Sequence, residues 1–199
     1  MNGKIKLDLK YLLIDDNIYG GNQEWYKKYI QRLSGCGPTT ASTIIMYEER
    51  FKNKIEHYTK EELFVLMEEM WNYITPGRMG VNKVEYYENG FSKYIREKNI
   101  ELDNCNKLLI EKNKKVSPSE LYDYLYSSLN NNHPVAFLNL NNGKENRIES
   151  WHWVTIVGIS YNENKLFGMV ADGGVIKEID LGLWLDTTTL GGGFIYFEW

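Results

Sequence analysis

Residues 150–160 read SWHWVTIVGIS. β-branched and aromatic residues crowd this run, no 3.6-residue period is present, and the length suits a strand. Working outward, the chain from Pro134 onward repeats the texture: PVAFLNL (134–140), KLFGMVAD (165–172), VIKEIDL (175–181) and GFIYFEW (193–199), divided by NNGKEN (141–146), YNEN (161–164) and glycine-rich turns. Short strands with tight connections predict an antiparallel sheet.

Before Pro134 the pattern changes to helical. TKEELFVLMEEMWNYI (59–74) sets Thr59 three residues before Glu62, a capping box, and then spaces Leu63, Phe64, Leu66, Met67, Met70, Trp71 and Ile74 along one face. TPGRMG (75–80) breaks that helix. A second is predicted over 82–97, with Tyr86, Phe91, Tyr94 and Ile95 buried despite Gly90. Ser117, Pro118 and Glu120 open a third, running to about Leu129 by the same capping logic. The expectation is one α+β domain over 1–199, a helical part at about 1–132 and a β-sheet part at about 133–199, with a cleft between them.

Composition narrows the function classes. The chain has 199 residues, 43% of them hydrophobic, enough for one core. A net charge of −4 with lysines scattered among glutamates gives no basic field for a nucleic-acid backbone. No run approaches the roughly 18 apolar residues of a membrane helix, and MNGKIKLDLKYLLIDDN (1–17) lacks the continuous apolar core of a signal peptide. A cytoplasmic protein without nucleic-acid or membrane partners is expected.

Two cysteines do not make a disulfide scaffold, and Cys36 and Cys105 are expected as free thiols. Cys36 lies in SGCGPTTASTIIMYE (34–48), where Pro38 fits a first helical turn and Thr40, Ile44, Tyr47 and Phe51 share a face. The sulfur therefore falls at or just before a helix N-terminus, where free N–H groups and the helix dipole favour a thiolate. Gly35 and Gly37 leave it unobstructed. Taken alone, Cys36 reads equally well as a small apolar filler.

A thiol nucleophile needs a base. His57 and His133 sit in polar loops, whereas His152 opens the apolar run quoted above. Alternation sets His152, Val154, Ile156 and Gly158 on one face and Trp151, Trp153, Thr155 and Val157 on the other. From 152 to 172 the chain has room for a strand, a turn and a returning strand, which would bring Asp172 of GMVADGGV beside the imidazole as its orienting acceptor. By itself Asp172 reads as a turn residue in Asp-Gly-Gly.

The order of cysteine on a helix start, histidine on a strand and aspartate on the next strand resembles papain-like enzymes. More narrowly, GCGPTTAS, HWVTIVGI and ADGG resemble the cysteine peptidases related to double-glycine leader peptidases, including their stand-alone bacterial relatives. The resemblance implies a papain-like fold, Cys36 as nucleophile, His152 as general base and Asp172 as orienter. The family places an oxyanion-hole glutamine about six residues before the cysteine, where this chain has Ile30; Gln23 is the preferred substitute and Gln31 the alternative. No transporter segment is present, so a double-glycine substrate does not carry over.

The resulting expectation is a thiol hydrolase of peptide or isopeptide bonds, needing no cofactor and no metal, with a peptide or protein substrate. An amidase, an acyltransferase or a silent papain-like binding module stand as alternatives. LGGGF (190–194) reads as a turn into the last strand, Asp15 and Asp16 as a solvated turn, and the tryptophans as core residues of which one could wall a substrate groove.

Overall fold

The structure is a computed structural model that describes residues 3–111, 116–163 and 165–199; Asn164, the last residue of the YNEN stretch expected as a turn, lies outside them. The chain opens with strand β1 (Gly3–Lys6), a 3₁₀ turn at Leu9–Tyr11, the hairpin β2 (Leu13–Ile14) and β3 (Ile18–Tyr19), and a second 3₁₀ turn at Gln23–Trp25. Helices α1 (Tyr29–Ser34), α2 (Cys36–Asn53), α3 (Lys60–Trp71) and α4 (Val84–Glu97) follow. Then come β4 (Asn104–Ile110), α5 (Pro118–Asn130), β5 (Val135–Asn139), β6 (His152–Asn162), β7 (Lys165–Asp172), β8 (Val175–Asp180), α6 (Leu181–Thr187) and β9 (Gly192–Glu198).

The class is α+β, built on a large antiparallel sheet in the order β4-β9-β5-β6-β7-β8. The long strand β6 carries two partners in turn on one edge: β5 pairs with its first half, and β1 pairs with Gly158–Tyr161 where β5 has ended. β7 holds the opposite edge, with a register shift between Ile156 and Gly158.

Two expectations about this layout are corrected. The helical and sheet parts are not cleanly divided at residue 132, because β1 and β4 from the first part join the sheet. Both lie at its margins; GKIK alternates only between half-buried and exposed, and NCNKLLI does not alternate at all, so neither carries a clear strand pattern. Conversely α6 interrupts the sheet part, where Asp180 Oδ1 accepts from Leu183 N–H (2.8 Å) and starts a buried turn around Trp184.

The helix starts form for stated reasons. At α3 the Thr59–Glu62 capping box closes in both directions, and Asp15, in the turn between β2 and β3, accepts from Lys60 N–H at the same helix start (3.2 Å). At α5 Ser117 Oγ accepts from Glu120 N–H (3.1 Å), so the box expected there reduces to its serine half. In α4 Phe91, Tyr94 and Ile95 are buried as expected, but the fourth position is Tyr87 instead of Tyr86, which is 54% exposed. Helical spacing from Tyr87 through Phe91 to Ile95 turns that face inward, and Tyr87 stacks on Trp153 (4.4 Å between centroids). Gly90 is no interruption but a close approach, since a Cβ there would lie 2.4 Å from Tyr73 O.

α2 occupies the middle of the molecule, packed against α3, β6 and β5. Its residues from Gly37 to Glu48 are all buried, which is why its sequence shows a wide apolar and small-residue surface in place of one narrow stripe. Its first residue is Cys36.

Candidate active site

Four chain segments meet at the start of α2. Gly35 is the N-cap and Cys36 the first helical residue, half-buried, so the sulfur stands where the unpaired amides of the first turn face outward. Pro38 in that first turn has no N–H to lose. Among the described residues both cysteines are free thiols.

His152 is the first residue of β6. Alternation would separate its ring from Trp153 and Thr155, yet it lines one small cavity, of about 30 Å³, together with both of them and with Cys36, Gln23 and Asp172. The reason is its terminal position: Trp151, immediately before it, has φ 58, which turns the chain out of strand geometry. Opposite His152 in the ladder stands buried Asn139, whose side chain donates to Glu149 O (2.6 Å) and accepts from Trp184 Nε1–H (2.8 Å). These bonds fix the entry of the 140–151 segment into β6.

Asp172 ends β7. Gly173 (φ 62) and Gly174 (φ 84) form a two-residue turn with both residues left-handed, the conformation that glycine accepts without strain and that matches the twist of a hairpin. Asp172 therefore pairs with Val175 across the turn, and its Oδ1 meets His152 Nε2 at 2.8 Å. With Nε2 so engaged, Nδ1 is the ring nitrogen left for the thiol. Lys177 Nζ donates to the other oxygen, Oδ2, at 2.8 Å.

Electrostatics follow from these contacts. Burial pulls the imidazole of His152 toward neutrality, but hydrogen bonds with Asp172 and Cys36 and the attraction of both outweigh it, and its pKa rises from 6.5 to about 10. Burial likewise favours a neutral Asp172, and the bonds and charges of His152 and Lys177 overcome it, lowering the carboxyl to about 2. Both shifts favour an imidazolium on a carboxylate over a neutral pair.

The two glutamines part company. Gln23 lies in the second 3₁₀ turn and lines the cavity. That turn is tied to the centre on two sides: Asn22 Nδ2 donates to Gly173 O (3.0 Å), and Gly21 N–H donates to Thr43 Oγ1 of α2 (2.9 Å). Gln31 is buried in α1 with its amide nitrogen on Glu68 of α3 (3.3 Å), away from the cavity.

The remaining candidates lie elsewhere. Cys105 sits on β4 beside Glu88 (3.7 Å), and burial, then the charge and hydrogen bond of Glu88, push its thiol up to about 12. His133 meets Glu48 at 2.7 Å, far along α2 from Cys36. No cluster of metal-ligating side chains occurs among the described residues, and no helix of theirs is long and apolar enough to cross a membrane.

A wider groove of about 510 Å³ opens beside Cys36, lined by Ile30 and Leu33 of α1, Met79 of the 75–83 segment, Leu138 and Trp151. Ile30, Leu33 and Met79 are each about 60% exposed, an unusual concentration of bare apolar side chains. Two residues of this neighbourhood escape sequence reasoning. Lys177 could have been found by following the register of a two-residue Gly-Gly turn from Asp172; Asn22 carries no comparable signal.

A family model described as the Peptidase_C39 like family matches residues 19–176, and the chain belongs to that family. No curated protein matches the chain. Membership supports cysteine peptidase chemistry in general terms.

Proposed function

We propose that this member of the Peptidase_C39-like family is a papain-like thiol hydrolase of peptide or isopeptide amide bonds, formed as one domain over 1–199, with Cys36, His152 and Asp172 as its catalytic residues. The observation that carries the reading is the 2.8 Å bond from His152 to Asp172 at a cavity shared with the cysteine that opens α2. Sequence order alone suggests that His152 removes the thiol proton. Its raised pKa favours a different timing, in which the imidazole already holds its proton when substrate arrives.

In this mechanism the sulfur, as thiolate, attacks the carbonyl carbon and a C–S bond forms. The oxyanion is received by amides at the start of α2 and by the Gln23 side chain. The C–N bond then breaks as His152 passes its proton to the departing nitrogen, leaving a thioester and a neutral imidazole. Water gives a proton to that imidazole, attacks the thioester and releases the acid, restoring the starting state. Asp172 holds the ring in one tautomer throughout.

The apolar groove ending at Cys36 supports an extended chain with bulky apolar side chains as substrate, in preference to a small amide. The same thioester would serve an acyltransferase if an amine replaced water. The test is a peptide library incubated with the parent and with Cys36→Ala, followed by mass spectrometry. New termini that depend on Cys36 are expected; their absence, together with no trapped thioester, would overturn the reading.

A further inference from the structure

Asp172 uses both of its oxygens, and only one of them serves the histidine. Oδ1 takes His152 Nε2 and Oδ2 takes Lys177 Nζ, each at 2.8 Å. The carboxylate is only 14% exposed and Lys177 40%.

The position of Lys177 follows from the turn. A two-residue connection pairs Asp172 with Val175 and Val170 with Lys177. Asp172 and Val170 lie two apart on β7 and share a face, so Lys177 is the diagonal neighbour of Asp172 on that face, at a separation a lysine spans easily. A longer turn would slip this register and carry the ammonium elsewhere.

We propose that Lys177 is a positioning residue of the same centre: it clamps the second oxygen of Asp172 and keeps the carboxylate anionic and rotationally fixed whether His152 is imidazolium or neutral imidazole. The inference rests on the triad reading above and deepens it. The need arises from the reaction cycle. While His152 is charged, it satisfies Asp172; after it protonates the leaving nitrogen, that counter-charge is gone. A carboxylate buried beside a neutral ring would then gain proton affinity and could turn from acceptor to donor, releasing the ring tautomer. The ammonium removes that weakness.

The groups that bear on the pair can be named from each packed element. His152 comes from β6, Lys177 from β8 and Cys36 from α2. The 18–23 segment meets the turn through Tyr19 N–H on Gly174 O and through the Asn22 amide on Gly173 O, and brings uncharged Gln23 to the cavity. Among these groups Lys177 is the cation that the carboxylate keeps beside it after the imidazole gives up its proton.

Because removing a positive charge raises the proton affinity of every neighbouring group, its loss moves the pH at which the thiolate forms upward. The test is the rate of Cys36 alkylation by iodoacetamide against pH, read site by site by mass spectrometry; it needs no substrate. Lys177→Met should shift the rise of the profile to higher pH by about half a unit, about a threefold change in rate at fixed pH on that rise. The shift should shrink with added salt and return toward the parent in Lys177→Arg. In an Asp172→Asn background Lys177→Met should shift the profile less, since the larger part of its effect passes through the carboxylate. A Lys177→Met profile that superimposes on the parent, or a shift undiminished in the Asp172→Asn background, overturns the inference while leaving the triad intact. If His152→Ala leaves the alkylation profile unchanged, the triad reading itself falls and this inference with it.

Discussion

Two histidines in this protein meet carboxylates in almost the same way, at opposite ends of the central helix's influence. His152 meets Asp172 at 2.8 Å and His133 meets Glu48 at 2.7 Å, and all four side chains are at most 15% exposed. Bond length and burial do not distinguish them. Their surroundings do. Glu48 lies within α2, wholly buried, and shares its carboxylate with Lys52 one helical turn on; His133 fastens the start of β5 to that helix. The pair welds one element to another. At the other end of the same helix, the first residue is a cysteine, and the second histidine–carboxylate pair faces it across a cavity. A charged hydrogen bond in a protein interior is thus architecture by default, and becomes chemistry only beside a nucleophile with room for substrate.

The largest expected contrast comes from removing each imidazole. His152→Ala should cut turnover on the order of 10³-fold or more with the fold intact by circular dichroism. His133→Ala should leave turnover within about threefold but destabilise the protein by about 1–3 kcal/mol in urea, because Glu48 loses one of its two partners. Equal catalytic losses from both would erase the distinction between the pairs.

Next comes the carboxylate. Asp172→Asn should slow turnover by about 10²-fold, measured as kcat, with a smaller change in KM, whereas Glu48→Gln should leave kcat nearly unchanged and lower Tm. The thiols sharpen the same contrast from the other side. Near pH 6 iodoacetamide should modify Cys36 at least about tenfold faster than Cys105, whose thiol is pushed up to about 12 by burial beside Glu88. Similar rates would remove the special character of the α2 start.

The smallest effect is the pH dependence of stability. Asp172 is depressed from 3.8 to about 2, so its contribution is complete above about 3.8 and is lost as pH falls through about 2. His152 is raised from 6.5 to about 10, so its contribution is complete below about 6.5 and is lost as pH rises through about 10. The difference in Tm between the parent and Asp172→Asn should therefore be widest between about pH 4 and 6.5 and narrow outside it on both sides. A difference that grows steadily toward alkaline pH would contradict the assigned shifts.

Much of this architecture could be read from local chemistry. The capping box at Thr59, the proline at 118 and the strand runs after Pro134 are each decided by neighbours within a few residues, and they stand where local rules put them. β1 and β4 were illegible because an edge strand owes its existence to a partner far along the chain, Tyr161 for Gly3 and Glu198 for Asn104. Tyr86 is expected on the inner face with Phe91, Tyr94 and Ile95, but neighbouring helical residues point about 100° apart, and it is Tyr87, four before Phe91, that shares that face. At the site, the sequence placed Cys36 at a helix start and Asp172 at a hairpin turn, but set Gln23 ahead of Gln31 only by its place in a glycine-led loop. That choice depends on Thr43 and Gly173 anchoring a loop, contacts which no spacing encodes.

The shared edge of β6 has a consequence for how the molecule is made. β1 leaves a ribosome well before its partners, Gly158–Tyr161, which lie far along the chain. Joining them closes a very long loop, a slow event with a large entropic toll, so this strand should be among the last pieces to dock. In the interval the far half of β6 presents bare backbone to its neighbours, and crowded nascent chains would find it a tempting place to stick.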